Sequence, residues 1–247
     1  ELQRVAQEQM VQGDWNVITN VRYDHIFEMG ESLEEIAEGL SAVIPTGGVL
    51  FTGDQTFFPL FQTRCRETGT EIVLCPGDGS PGSENRAIAR AIGERLGITP
   101  DRFPASADFY HADFGACKCY PMGERRFLDL FSANDPESSL LLLREHFPPE
   151  EELTLIYNHR PDRPDRLLLF LRCFFPQVSC HKVIVLGQGR RLAWRLLRRA
   201  GVKRVELASG WREALSRADS KNIAGIGNIK GQAYELVAFL ERGGIDE

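Results

Sequence analysis

The chain has 247 residues and a hydrophobic content of 43%, which is enough for two modest α/β domains or one large one. Its formal net charge of -6 argues against a nucleic-acid-binding protein. No stretch reaches the roughly 18 apolar residues that a membrane-spanning helix needs. The six cysteines do not form two C-x-x-C pairs, so a zinc ribbon is excluded and reduced thiols in a cytoplasmic protein are expected.

The first 98 residues alternate strand and helix patterns, which predicts a mainly parallel sheet covered by helices. Residues 15–19 (WNVIT) predict a buried strand that ends in a polar loop. Ser32-x-x-Glu35 is a capping-box pattern and predicts the start of a helix. The further elements predicted in this part are strands at 49–51 and 71–74 and a helix over 84–96.

The alternation stops at residues 99–126, which contain three prolines and are predicted to be a linker between two domains. It resumes over 127–247, where Asp135-Pro136 predicts a helix start. The apolar run over 167–175 is predicted to be an amphipathic helix. About five strands are expected in this second half, which indicates a Rossmann-like domain. Their predicted starts are Phe127, Leu153, Val183, Arg204 and Asn222.

Ligands gather at the carboxyl ends of the strands in an open parallel sheet, so polar loops at these ends are candidate sites. In residues 19–30 (TNVRYDHIFEMG), Asn20, Asp24 and His25 directly follow a predicted strand. A carboxylate beside an imidazole can hold Mg²⁺ and orient its phosphate oxygens. The alternative is a capped turn with a structural histidine.

A second candidate loop is FSANDPESS at residues 131–139. It places Asn134, Asp135 and Ser138 at the beginning of a predicted helix. The free N–H groups of a helix start can bind an anion. The same residues are equally typical of an ordinary N-cap, and the sequence leaves both interpretations open.

A third candidate loop, NHRPDRPDR at residues 158–166, concentrates opposite charges after a predicted strand. It is either a solvated charged turn or a bidentate binding site for phosphate or carboxylate. The binding hypothesis concerns Arg160, Arg163 and Arg166, with Asp162 and Asp165 to orient them.

Two glycine-containing loops precede predicted helices. In GIGNIKG (225–231), glycines surround Asn228 and Lys230, and such a loop lets the backbone approach a ligand closely. LGQGRRLA (186–193) hints at dinucleotide binding, but Leu192 stands where that pattern needs its third glycine.

Four of these loops together resemble motifs of the ATP-dependent amide ligases that comprise the Mur ligases and folylpolyglutamate synthases. Residues 19–38 look like the N-V-x-x-D-H-x-x-x-M-G run and following helix of poly-γ-glutamate synthase ligase subunits (the CapB/PgsB type). The loops at 131, 158 and 225 resemble the F-x-A-N-D, N-x-R-x-D-R and G-x-G-N-I-x-G stretches of the same subunits, in the same order.

The resemblance implies an α/β fold in which residues 1–98 are the C-terminal part of a P-loop-type ATPase central domain. Residues 99–126 would be the linker, and 127–247 a Rossmann-like C-terminal ligase domain. The implied reaction uses ATP and Mg²⁺ to convert a carboxylate into an acyl phosphate. The amine of an incoming glutamate then attacks it and forms a γ-amide.

The resemblance also implies roles for individual residues. His25 and Asp24 would hold the metal and act in catalysis, with Arg160 and Arg163 of the closing domain. The implied nucleotide-binding residues are Asn20, Asn85, Asp129, Asn134 and Asn228.

Glutamate and poly-γ-glutamate are the implied substrates, with membrane-embedded partner subunits at the cytoplasmic face of the membrane and no nucleic acid. Peripheral attachment through partners or an N-terminal segment is expected, and self-association is left open.

Two features depart from the family pattern. The chain has no G-x-x-G-K-[ST] run and no lysine before Lys118, and Leu40 stands near the place of a lysine that Mur-type enzymes can carbamylate. A P-loop is therefore expected to precede Glu1 in a complete member, and residues 1–247 alone are expected not to turn over ATP.

Three alternatives stay open at this point. The chain could belong to another Mur-type ligase or a folylpolyglutamate synthase. It could instead be a non-catalytic nucleotide-binding or scaffolding module. A nicotinamide-binding Rossmann protein is supported only by the GQGRRLA stretch.

Overall fold

The computed structural model describes residues 13–24, 26–79, 82–99, 117–133 and 135–243. The chain divides into two compact units, Glu1–Ser106 and Ala107–Glu247. The predicted end of the first domain at residue 98 stays a prediction.

The first unit contains a three-stranded parallel sheet in the order β1-β2-β3. Its central strand is buried at every residue, which matches the apolar run predicted there. The strands are β1 (Trp15–Ile18), β2 (Val49–Thr52) and β3 (Glu71–Leu74). The helices are α1 (Ile26–Met29), α2 (Leu33–Ser41), α3 (Phe58–Thr68) and α4 (Ser83–Arg95).

Local sequence signals explain where these elements begin. Ser32 and Glu35 form the predicted capping box at the start of α2, each side chain accepting a backbone N–H of the other residue. The prediction that β1 is buried is wrong, since Trp15 and Val17 are 40% and 42% exposed. Within the described residues β1 is an edge strand and pairs only with β2.

The second unit contains a six-stranded sheet in the order β4-β5-β9-β6-β7-β8. β4 is antiparallel to β5, and the other neighbouring strands are parallel. The strands are β4 (Lys118–Met122), β5 (Arg125–Asp129), β6 (Leu153–His159), β7 (Lys182–Gly187), β8 (Val205–Leu207) and β9 (Asn222–Gly227). The helices are α5 (Pro136–His146), α6 (Pro164–Leu169), α7 (Arg190–Arg199), α8 (Trp211–Arg217) and α9 (Gln232–Glu241).

Strand β4 corrects the prediction for residues 99–126, whose last part is not a linker but the edge of the sheet. Gly123, with φ +65°, begins the two-residue turn that joins β4 to β5. Pro121 lies within β4 and suppressed the strand prediction, yet an edge strand tolerates proline because one side of its backbone needs no partner. The sheet therefore has six strands where about five were expected.

Helices cover both faces of this sheet. Side chains of α5, α6 and α7 pack on one face, and side chains of α8 and α9 pack on the other. Right-handed crossovers explain why the helices divide between the two faces. The connections β5–β6, β6–β7 and β7–β8 run in one direction across the sheet, whereas the connection from β8 to β9 runs in the opposite direction. The chain thus reverses direction between β9 and β6, which is a topological switch point.

The predicted helix over residues 167–175 is only partly α-helical. After α6 the chain continues as a π-helix, Phe170–Phe174, and a 3₁₀ turn, Phe175–Gln177. Phe170 and Phe174 are both fully buried in the core, and the wider turn accommodates these two rings on one face. Within the described ranges, no helix combines the length and the apolar composition that crossing a bilayer requires.

Candidate functional site

A cleft of about 560 Å³ opens at the carboxyl edge of the six-stranded sheet. It is lined by the loops that follow β6, β7, β8 and β9, and it includes the switch point between β9 and β6. This is the position at which open α/β sheets bind their ligands. Its polar lining includes Asn158, His159, Arg160, Asp162, Arg190 and Lys230.

Two helices begin at the cleft with glycine as the N-cap. Gly189 precedes α7 and Gly231 precedes α9, and neither helix start has a side-chain cap hydrogen bond. The first N–H groups of a helix have no partner inside the helix and carry a partial positive charge. Two uncapped helix starts at one cleft therefore favour a bound anion.

The charged side chains of the lining add to this positive field. Arg160, Arg190 and Lys230 are cationic, and Asp162 is the one carboxylate among the lining residues. Arg160 donates from Nε to Asp162 Oδ1 at 3.0 Å, and this hydrogen bond lowers the pKa of the Asp162 carboxyl. The structure thus shows the contact that the hypothesis of an orienting Asp162 requires, and the ligand-binding role of Arg160 stays a prediction. The cleft keeps a net positive charge.

His159 lies at the floor of the cleft and is 2% exposed. Its ring stacks on Tyr157, with 6.3 Å between centroids, and neither ring nitrogen has a hydrogen-bond partner among the described residues. Burial lowers the pKa of His159 from 6.5, so the imidazole is neutral at pH 7. A neutral ring with unused nitrogens can accept a hydrogen bond from a ligand or donate one to it.

A buried hydrogen-bond network holds the loops after β6 and β9 together. Asn158 donates from Nδ2 to the carbonyl oxygens of Asn228 and Lys230, at 2.5 and 2.8 Å. Arg166 donates from Nη1 to Asn228 Oδ1 at 2.9 Å and to the Gly227 oxygen at 3.2 Å. Arg166 is 8% exposed and holds these loops in place, which is a different role from the hypothesis that it grips a ligand.

Several glycines of the predicted ligand-binding loops are closely approached by other atoms of the protein. A Cβ at Gly225, inside β9, would lie 2.3 Å from the Phe131 ring, and a Cβ at Gly227 would lie 2.7 Å from the Asn158 oxygen. A Cβ at Gly187 would lie 2.3 Å from the His159 oxygen. These three glycines are needed because neighbouring parts of the protein pack closely against them. They therefore do not support the hypothesis that the glycines make room for a dinucleotide or another ligand.

Asp129 ends β5 and is not among the residues that line the cleft. The carboxyl group is 1% exposed, Oδ1 accepts the Phe131 N–H at 3.0 Å, and Oδ2 has no partner among the described residues. Burial raises the pKa of Asp129 to about 6. Its predicted role in nucleotide binding stays a prediction.

The loop after β5 supports the simpler of its two interpretations. Asp135 accepts the Ser138 N–H at 2.8 Å and caps α5, so a carboxylate already occupies that helix start. Asn134 lies outside the described residues. Arg163 immediately precedes α6, and its predicted catalytic role stays a prediction.

In the first unit, the loop after β1 is fastened by an acid that the sequence analysis missed. Asp54 follows β2, is 8% exposed, and accepts the Val21 N–H at 2.7 Å and the Phe57 N–H at 2.7 Å. Asn20 and Asp24, in the same loop as Val21, are half-buried. A buried acid at the end of a neighbouring strand was a detectable signal, but Asp54 stands in no matched motif.

The predicted metal site, Asp24 and His25, lies in the sequence between β1 and α1. His25 lies outside the described residues, and within the described ranges no three His, Cys, Asp or Glu side chains are grouped to hold a metal ion. Asn85 lies exposed in the first turn of α4. The Mg²⁺ role of Asp24 and His25 and the nucleotide role of Asn85 stay predictions.

The cleft also contains residues that no sequence motif singled out. Ser209 follows β8, and Gln232 opens α9, where Gln232 Oε1 accepts the Trp211 N–H at 2.9 Å. Arg190 lies in the LGQGRRLA stretch, whose pattern hinted at dinucleotide binding and gave Arg190 itself no role. These residues share a position in a loop that follows a strand. That position identifies a ligand-binding residue only when the order of the strands in the sheet is known.

Solved structures define the class to which this fold belongs. A bifunctional folylpolyglutamate synthase/dihydrofolate synthase from Yersinia pestis, complexed with AMPPNP and Mn ion, superposes with a TM-score of 0.64 at 17% identity. That match covers 92% of this chain and 62% of the other. MurF from Acinetobacter baumannii superposes with a TM-score of 0.60 at 12% identity over 96% of this chain and 62% of the other. The chain therefore has the fold of the Mur ligases and folylpolyglutamate synthases.

Sequence comparison assigns the chain to a narrower family within this fold class. The family model described as "Poly-gamma-glutamate synthase CapB C-terminal domain" matches residues 119–243, and the chain belongs to this family. The "Capsule biosynthesis protein CapB" of Bacillus anthracis is 29% identical over 97% of this chain and 57% of its own length. The "PGA synthase CapB" of Bacillus subtilis (strain 168) is 28% identical over 76% of this chain and 52% of its own length. The chain thus spans little more than half of these relatives.

Proposed function

We propose that the chain is part of an ATP-dependent ligase that joins glutamate units through γ-amide bonds into poly-γ-glutamate. The two uncapped helix starts at a positively charged cleft carry this proposal, because they fit the carboxylates of an acidic amino acid. Membership of the CapB family supports it.

In the proposed reaction, ATP with a divalent metal supplies the phosphoryl group that activates a carboxylate as an acyl phosphate. The AMPPNP and Mn ion in the Yersinia pestis relative support a nucleotide and a metal. The amine nitrogen of the incoming glutamate bonds to the acyl carbon, the bond from that carbon to the phosphate oxygen breaks, and phosphate leaves. The amine must lose its protons, one before and one after attack.

The described residues of the cleft would hold the incoming glutamate. Arg160 and Lys230 attract its carboxylates, and the N–H groups at the starts of α7 and α9 supply hydrogen bonds. The neutral ring of His159 can accept a hydrogen bond from its ammonium group. The buried Asn158 network keeps the surrounding loops from moving apart when a ligand binds.

Titration calorimetry with glutamate tests this assignment on residues 1–247. Arg160→Gln and Lys230→Gln are each expected to weaken glutamate binding by about tenfold, because a hydrogen bond to a charged group is lost. Arg144→Gln is the matched control, since Arg144 is exposed on α5 and is not among the residues that line the cleft. The affinity of the Arg144→Gln variant for glutamate is expected to equal that of the unchanged chain.

Equal affinity in all four proteins would contradict the cleft assignment. Binding of inorganic phosphate instead of glutamate, with the same sensitivity to Arg160→Gln and Lys230→Gln, would make the cleft a phosphate site. An acceptor assay on the synthase that contains this chain then separates the ligase types. Phosphate release stimulated by folate compounds and not by glutamate oligomers would favour a folylpolyglutamate synthase, whose fold this chain shares.

A further inference from the structure

Helix α7 has an unusual charge composition for this chain. Its sequence, RRLAWRLLRR, contains five arginines and no acidic residue, whereas the whole chain carries a net charge of -6. Ala193 and Leu197 are fully buried against the sheet. The arginine face, which we define as Arg191, Arg195 and Arg199, is exposed on this helix.

The arginine face has no partner among the residues that the structure describes. Within the described residues, Arg191, Arg195 and Arg199 make no ion pair and no hydrogen bond through their side chains. Other arginines of this unit are paired, as Arg204 is with Glu206 and Arg217 is with Glu213. Like charges four residues apart repel one another along a helix, so this arrangement costs stability that an external anion would recover.

The arginine face is continuous with the cleft. Arg190, the first residue of α7, lines the cleft, and the ten residues of the helix extend from it over about 15 Å. A ligand with many regularly spaced carboxylates could therefore contact the cleft and the arginine face together. A single glutamate is too short to do so.

Membrane lipid fits this surface less well than an acidic polymer does. A helix that lies in a membrane surface needs a free apolar face, but the apolar side of α7 packs on the sheet. Leu192, 55% exposed, is the large apolar side chain left exposed on this helix. The exposed face offers charge without an insertion surface.

We propose that the arginine face binds the acidic polymer chain, a γ-linked polyglutamate, beside the cleft that binds the incoming monomer. The inference rests on the proposed function, since it takes the polymer as the molecule that enters or leaves this cleft. The arginine face holds the polymer by charge, without recognition of its ends. Binding consequently weakens as salt screens the charges.

The test uses residues 1–247 and a fluorescently labelled γ-glutamyl oligomer, followed by anisotropy at low and high salt. The triple variant Arg191→Gln, Arg195→Gln, Arg199→Gln is expected to bind the oligomer about tenfold more weakly at low salt, and the difference should vanish at about 1 M salt. Its affinity for monomeric glutamate is expected not to change. Glutamine retains helix propensity, and far-UV circular dichroism verifies that α7 is intact.

The matched control removes the same number of positive charges from the exposed surface of the first unit. It is the triple variant Arg64→Gln, Arg66→Gln, Arg90→Gln. Equal oligomer binding by the two triple variants would overturn the proposal. Anionic vesicles are the second probe, and loss of vesicle binding with unchanged oligomer binding would overturn it in favour of a membrane contact. Failure of the monomer site is distinguishable, because Arg160→Gln would then leave glutamate binding unchanged while the arginine-face variant still lost the oligomer.

Discussion

Gly187→Ala is expected to destabilise the second unit by about 3 kcal/mol or more. Gly187 has φ +91°, where an alanine costs about 1–2 kcal/mol. Its Cβ would also lie 2.3 Å from the His159 carbonyl oxygen, and overpacking costs about 1–3 kcal/mol more. A backbone oxygen cannot turn aside as a side chain does, so the ends of β6 and β7 must separate.

Gly201→Ala is the control for this substitution. Gly201 has φ +89°, almost the same backbone conformation, but a Cβ there has nothing within 4 Å among the described residues. Gly201→Ala is expected to lower the free energy of unfolding by the backbone contribution alone, about 1–2 kcal/mol. Equal losses at Gly187 and Gly201 would contradict the contact that the structure gives Gly187.

Denaturant unfolding followed by tryptophan fluorescence measures both effects. Trp194 and Trp211 lie in the second unit, and a Trp15→Phe background removes the tryptophan of the first unit. The signal then reports the second unit alone. Glutamate affinity should fall with Gly187→Ala and not with Gly201→Ala, because Gly187 lines the cleft.

Asp129→Asn is expected to stabilise the second unit at neutral pH by about 3 kcal/mol, since one pKa unit corresponds to about 1.36 kcal/mol. Burial raises the pKa of Asp129 from 3.8 to about 6. Between these values the folded chain binds a proton that the unfolded chain has released, so stability falls as pH rises through this interval. Asparagine avoids this loss because it carries no charge.

The pH dependence distinguishes this explanation from a general packing effect. The gain from Asp129→Asn should be full at pH about 8 and shrink as pH falls through about 6 towards about 4. Asp162→Asn is the opposite control, because its hydrogen bond to Arg160 lowers the pKa of that exposed carboxyl. A gain that is independent of pH would contradict the raised pKa of Asp129.

An acid that costs this much stability needs a reason to be there. Functional sites often keep groups that destabilise the fold. The stability cost of Asp129 is therefore compatible with the nucleotide role that the resemblance implies. Its free Oδ2 gives that hypothesis a specific atom.

The sequence determined the local structure of this protein well. The Ser32 capping box and the Asp135 cap depend on residues near one another in the chain, and both are confirmed. The loops of the family signature were also found from the sequence alone. Strand β4 was missed because its Pro121 is acceptable only at an edge, and an edge is a property of the assembled sheet.

Only the tertiary structure decided how the loops meet. Insertion of β9 between β5 and β6 brings Asn228 to Asn158, although 70 residues separate them in the chain. The same insertion buries Arg166 and places Arg190 and Lys230 around one cleft. The physical reason is that strand order depends on the packing of helices on both faces of a sheet, whereas caps and strand patterns depend on neighbours in sequence.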